Sequence, residues 1–172
     1  MKDFLELAKA RYSVRKYAEK EVEQELLDKV LEAGNVAPTA KNIQPQKIYV
    51  IRSEEGLAKI RKISRCAFNA PIVLLVCYDA DAMWNHPTEE GFVSGQEDAS
   101  IVGTHIMLEA ADLGLGTCWV NVFSPTETAK EFNLPANIKP LFLMPLGYPA
   151  EDAEPSLMHG TKKAIEETVS YL

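Results

Sequence analysis

Apolar residues recur at helical spacing over residues 2–11 and again at Leu26, Leu27, Val30 and Leu31. That pattern predicts two amphipathic helices at the start of the chain, the second ending near Gly34-Asn35. Lys47-Ile48-Tyr49-Val50-Ile51 reads as a strand, and Ser53 is placed to cap a helix running to about Arg65 with Leu57, Ile60 and Ile63 inward. The near-continuous apolar run Pro71 to Tyr78 has the pattern of a strand buried on both faces. From about Glu97 to Leu113 the chain is apolar on almost every side and stops at Gly114, which predicts a central helix. Such a helix belongs in the middle of the subunit, against a second copy, or both. Gly116 to Val120 reads as a strand. Ser124-Pro125-Thr126-Glu127 carries a capping box with proline at the first helical position, so a short helix to about Phe132 is expected. Lys139 to Gly147 reads as a last long strand, and Thr161 to Leu172 as a weakly helical or extended tail. The order predicts an α+β domain over residues 1–172, with a central, mostly antiparallel sheet sandwiched by helices.

Composition narrows the function classes. The 172 residues are 47% apolar and 25% charged, enough for one sizeable core in a single domain. A net charge of −7 argues against a general grip on nucleic acid or an anionic membrane, so any anionic ligand needs a local basic cluster. No apolar run approaches the roughly 18–20 residues of a membrane span, and the N-terminus is amphipathic, so a cytoplasmic location is expected. Cys66, Cys77 and Cys118 are odd in number and set in mostly apolar segments. His86, His105 and His159 lack ligand spacing, so neither disulfides nor a metal site is expected.

One such cluster exists. In Arg11-Tyr12-Ser13-Val14-Arg15 an extended backbone points Arg11, Ser13 and Arg15 to one face. Two guanidinium forks and a hydroxyl suit a phosphate, while a solvated basic turn is the plain alternative. The loop Ala37-Pro38-Thr39-Ala40-Lys41-Asn42-Ile43-Gln44-Pro45 combines small residues, which let backbone approach a flat ligand, with the amides of Asn42 and Gln44, which match a heterocycle edge. Residues 81–97, with Trp84, Pro87, Gly91 and Gly95, form the one long irregular segment, either a lid over a site or a surface excursion.

Together these segments resemble the nitroreductase family of flavin enzymes. Its members carry Arg-x-Ser-x-Arg near the N-terminus and Pro-Ser-x-x-Asn-x-Gln-Pro some two dozen residues later, here with Thr39 in place of serine. Gly95-Gln96-Glu97-Asp98-Ala99-Ser100 looks like the start of the family's central helix, and Ala111-Asp112-Leu113-Gly114-Leu115-Gly116-Thr117-Cys118-Trp119 like its exit. The resemblance implies a homodimer with FMN in the interface, reduced by NADH or NADPH and reoxidised by a nitroaromatic, quinone or similar electrophile in a ping-pong exchange through flavin N5. No protein side chain need act as an acid, because the flavin carries the chemistry.

Residue by residue, the resemblance puts Arg11, Ser13 and Arg15 on the ribityl phosphate and pyrimidine edge, with Tyr12 adding backbone. It puts Pro38, Thr39, Ala40, Asn42 and Gln44 on the partner subunit's flavin. Trp119, Val120 and Asn121 fall on the strand end passing N5, and Lys162 or Lys163 falls on the phosphate where arginine is common in the family. Asn121 replaces an acidic residue of some members, and the chain lacks the extra helices that larger members place over substrate. Other readings stay open: Trp119 as core packing, Trp84 as a substrate wall or a surface anchor, His105 as a satisfied core imidazole, and Asp98 as a helix cap. The alternatives for the whole protein are the same fold with other flavin chemistry, such as reductive dehalogenation, a non-catalytic flavin-binding (storage or redox-sensing) protein, or an interaction protein without cofactor.

Overall fold

The computed structural model describes residues 3–172. Lys2, where the first predicted helix was to begin, lies outside them. Four strands form one sheet in the order β1-β2-β4-β3, with β1 Gln46–Ile51, β2 Ile72–Asp79, β3 Gly116–Thr117 and β4 Ile138–Gly147. All three ladders are antiparallel. Helices α1 Phe4–Ala10, α2 Gln24–Asn35, α3 Glu54–Ile63, α4 Gly95–Asp112 and α5 Pro125–Glu131 complete the domain.

The strict period of two along β2 builds the sandwich. Ile72, Leu74 and Val76 join Phe142, Met144 and Leu146 of β4 beneath α2 and α4, which bring Leu27, Val30, Val102, Ile106 and Ala110. On the other face, Val73, Leu75 and Cys77 meet Leu143, with Leu57 and Ile60 of α3. β2 is therefore buried on both sides, as its apolar run predicts. Helix ends follow their caps: Ser53 Oγ accepts from the Gly56 N–H at 3.1 Å, and Ser124 Oγ from the Glu127 N–H at 3.2 Å, with Pro125 opening α5.

One predicted element differs. The expected strand Gly116–Val120 pairs continuously only at Gly116 and Thr117, yet the backbone keeps the same register as far as a bridge between Val120 and Leu143. The gap has a chemical cause. The Cys118 N–H donates to the Pro145 carbonyl at 3.3 Å, but proline has no N–H to return. The segment 161–172 holds only a single turn at Ile165–Glu167, and every residue in it is exposed.

Candidate functional site

The basic segment is clamped against the open side of β3. The Val14 N–H donates to the Thr117 carbonyl at 2.9 Å, and Ser13 makes a parallel bridge with Thr117. Further along, the Ala18 N–H donates to the Tyr148 carbonyl and the Ala150 N–H to the Lys16 carbonyl, which lays residues 16–18 beside the chain leaving β4. Tyr17 locks the corner: its hydroxyl lies 3.0 Å from the Val14 carbonyl and 3.1 Å from that of Pro145. Burial pushes the Tyr17 phenol well above its ordinary value, so it stays a donor. Gly116 permits the clamp, since a Cβ there would sit 2.5 Å from Val14 Cγ2.

The clamp spreads Arg11, Ser13 and Arg15 over the Cys118 end of β3. The Cys118 thiol registers them: burial raises its pKa, while Arg15, a hydrogen bond from Ser13, and Arg11 pull it down. Among the described residues no carboxylate pairs with Arg11 or Arg15, which is also true of Arg52 and Arg65, but only Arg11 and Arg15 stand two residues either side of a serine. In an acidic chain, two guanidiniums left without internal counter-ions beside a serine fit a phosphate monoester. Arg11 and Tyr12 border a pocket of about 200 Å³ with Gly114, Gly116 and Thr117. Arg15 borders an open groove of about 760 Å³ with Tyr17, Phe68 and Asn69. Phe68 and Asn69 both hold a positive φ, of 52° and 53°. Sequence reading missed them; the Asn-Ala-Pro that follows Phe68 was the available turn signal.

Trp119, Val120 and Asn121 continue from this junction. The Trp119 ring stacks on Phe142 with centroids 3.6 Å apart, and its Nε1–H donates to Asn121 Oδ1 at 3.2 Å. Both aromatic rings lie against Gly103 of α4, where a Cβ would collide with Phe142. Core packing holds one face of the Trp119 ring, and the residue stays half-buried. The Val120 N–H is donated to the Leu143 carbonyl and is therefore not available to a ligand at this strand end.

The second loop is elsewhere. Thr39, Ala40, Asn42 and Gln44 lie by the N-terminus of α4, where the Ala40 N–H donates to Asp98 Oδ1 at 2.8 Å. Lys41, Asn42 and Gln44 all take positive φ, between 51° and 56°, a conformation that costs a side-chain-bearing residue on the order of 1 kcal/mol or more. Thr39 Oγ1 accepts from the Gln44 N–H at 3.0 Å, and the Gln44 amide donates to Asn42 Oδ1 at 3.1 Å, so the turn is closed by its own polar side chains. Pro38 is exposed on its rim, and the buried Gln46 Oε1 just beyond it has no hydrogen-bond partner. Arg11 shares its pocket with Ala111, near the other end of α4. At about 1.5 Å of rise per residue, Asp98 and Ala111 are about 20 Å apart along the helix, so the loop and the Arg11 pocket lie at opposite ends of α4.

Lys162 and Lys163 are exposed on the C-terminal arm. The arm crosses the end of α1, where His159 Nε2 lies 3.2 Å from the Lys9 carbonyl and therefore carries the proton, and the Tyr12 hydroxyl donates to the Ala153 carbonyl. His105 Nδ1 likewise donates to the Ile101 carbonyl at 2.9 Å. Asp98 does not cap α4; it sits inside the first turn, accepting from Ala40 and from Ser94 Oγ. Among the described residues no cluster of three metal-ligating side chains occurs, and no helix is long and apolar enough to cross a membrane. A cleft of about 810 Å³ between α5 and β4, lined by Pro125, Lys130, Leu134 and Lys139, contains none of the predicted residues.

This helix-flanked antiparallel sheet, with a basic segment clamped to its β3 edge, is the architecture of a known group of proteins. The sequence profile of the nitroreductase family matches residues 8–69 and 63–148, and the chain belongs to that family. A nitroreductase family protein from Clostridium difficile 630 has 41% identity and a TM-score of 0.92, covering 99% of this chain and 98% of its own. A protein from Methanothermobacter thermautotrophicus, provisionally named NADH dehydrogenase/NAD(P)H nitroreductase, is 37% identical over 87% of this chain and 79% of its own length. A nitroreductase-fold protein from Exiguobacterium sibiricum, solved in complex with FMN, shares the fold at a TM-score of 0.84 and 22% identity, covering 100% of this chain and 98% of its own.

Proposed function

We propose that the protein is an FMN-dependent NAD(P)H oxidoreductase of the nitroreductase type, acting as a homodimer on small flat electrophiles such as nitroaromatics or quinones. The observation that carries this reading is the pair of guanidiniums, without carboxylate partners among the described residues, fixed with Ser13 beside Gly116–Cys118 in a member of this family. The names of relatives, NAD(P)H nitroreductase and NADPH-dependent oxidoreductase, support the reductant.

Arg11 and Arg15 neutralise the phosphate, and Ser13 adds a short donor; Lys162 or Lys163 adds a point charge from the arm. The backbone at Asn121 orients the ring edge. Bound FMN supplies two-electron exchange between the nicotinamide and the acceptor. Thr39, Ala40, Asn42 and Gln44 serve the flavin held by the other copy, because they dock at the opposite end of α4 from their own Arg11. Exposed apolar surface supports a second copy: α1 buries no residue and exposes Phe4 and Leu5, Ile101 is exposed on α4, and the arm exposes Leu157, Met158, Ile165 and Tyr171.

The test is the visible spectrum of the protein reconstituted with FMN, before and after anaerobic NADH or NADPH. Bleaching with one of them, and recovery on adding a quinone, is the expected result. A bound flavin whose spectrum neither nucleotide changes contradicts catalysis and favours a storage or sensing protein.

A further inference from the structure

The irregular segment after β2 is an ordered hairpin. Asn85 pairs with Val93, and Trp84, His86 and Phe92 meet edge to face with centroids 5.4–6.3 Å apart. His86 Nδ1 accepts from the Thr88 and Glu89 N–H groups at 3.2 and 3.0 Å, closing the turn, and Phe92 is exposed. The hairpin is stitched to α4 at its base, where Trp84 N–H donates to Ser94 Oγ at 3.1 Å and Ser94 N–H to the Trp84 carbonyl at 3.0 Å.

Ser94 Oγ in turn donates to Asp98 Oδ2 at 2.6 Å, and Asp98 Oδ1 accepts from Ala40 N–H at 2.8 Å. Asp98 is only 2% exposed. One buried carboxylate in the first turn of α4 therefore ties two loops distant in sequence, using one oxygen for each. A buried acceptor with both oxygens engaged permits little drift of either donor, since an unmade bond there leaves a buried polar atom without a partner.

We propose that Asp98 is a positioning residue that couples the strained 38–44 loop to the aromatic hairpin by anchoring both, one oxygen each, so that the wall offered to flavin and the wall offered to the electron acceptor hang on one carboxylate. This rests on the flavoenzyme reading for what the two walls face; the coupling itself rests on the three hydrogen bonds. It assigns the loop arm to Ala40 through Oδ1 and the hairpin arm to Ser94 through Oδ2, and the two arms are separable. Ser94→Ala cuts only the hairpin arm. Asp98→Asn keeps an amide oxygen for Ala40 and offers an NH2 that donates to Ser94 Oγ with the bond direction reversed, so it is the conservative variant. Asp98→Ala cuts both.

Hydrogen exchange of the full-length protein, with and without FMN, reads the arms without depending on turnover. The expected result is that Ser94→Ala speeds exchange in residues 84–94 by about tenfold while Ala40 keeps its protection, that Asp98→Asn changes either segment less, and that Asp98→Ala speeds both segments. In the FMN-loaded protein, Ser94→Ala should raise KM for a quinone several-fold with kcat and FMN affinity near wild type, whereas Asp98→Ala should weaken FMN by about tenfold. Unchanged exchange at Ala40 in Asp98→Ala overturns the coupling, as does equal loosening of both segments by Ser94→Ala. Should Asp98→Ala not fold, Ser94→Ala decides the hairpin arm, and Asp98→Ser, whose side chain falls short of Ala40, decides the loop arm by faster exchange at Ala40. If wild type binds no FMN, the functional reading fails, while the exchange result still decides the coupling.

Discussion

The two loops that family resemblance assigns to one cofactor are held in opposite ways. The basic segment stands on the sheet: backbone bonds to Thr117 and Tyr148, the Tyr17 hydroxyl and the core beneath Val14 fix it. The 38–44 loop stands on polar side chains, in left-handed conformations, with Asp98 as its anchor to α4. A charge site for a phosphate needs placement that survives ligand exchange, and the sheet supplies it. A surface that meets a flat ring needs backbone in unusual conformations, and those persist only where the surroundings over-determine them.

The contrast breaks in graded ways. Arg11→Ala with Arg15→Ala should lower FMN affinity by about 100-fold or more, from two lost charge-assisted contacts of about 1.5–3 kcal/mol each, with the melting temperature unchanged because Arg11 is half-buried and Arg15 exposed. Fluorescence titration with FMN reads this, and full affinity in the double variant would remove the phosphate from this segment. Phe142→Ala should cost about 3–5 kcal/mol in denaturant unfolding, by emptying the site under Trp119 and Gly103. Because the 38–44 loop does not stand on Phe142, Ala40 should keep its exchange protection in that variant. Lys41→Gly should raise stability by up to about 1 kcal/mol, relief of the positive φ being partly offset by chain entropy. A loss there would mean that the Lys41 conformation is not strained.

The sheet side carries one pH signature. Burial pushes the Cys77 thiol from an ordinary 9.0 up to about 12, so folding favours its neutral form. That stabilisation is complete below pH 9 and is lost as pH rises towards 12. Cys77→Ala should therefore flatten the alkaline limb of the stability profile, measured as melting temperature between pH 8 and about 11. An unaltered slope would place the thiol in contact with solvent.

Legibility in the sequence followed the same division. β2, α2 and α4 were legible because burial on one or two faces imposes a period on the residues. The capping serines 53 and 124 marked their helix starts because the side chain itself makes the bond. β3 was over-extended because its missing bonds depend on Pro145, a residue of another strand. Arg11, Ser13 and Arg15 were readable as one face. The distance between them and Asn42 was not, since it follows from the length of α4 and from which end each loop docks. Asp98 read as a helix cap because acidic residues are common there, and only the fold shows its oxygens turned to Ala40 and Ser94.

The central claim is that each flavin site takes its arginines from one copy and its 38–44 loop from the other. Subunit mixing tests it directly. Arg11→Ala/Arg15→Ala protein, mixed with Asn42→Ala/Gln44→Ala protein and allowed to exchange subunits, should recover about a quarter of the wild-type capacity for tight FMN binding, because every heterodimer regains one intact site. Two preparations that each bind FMN weakly and gain nothing on mixing would show that the site lies within a single chain.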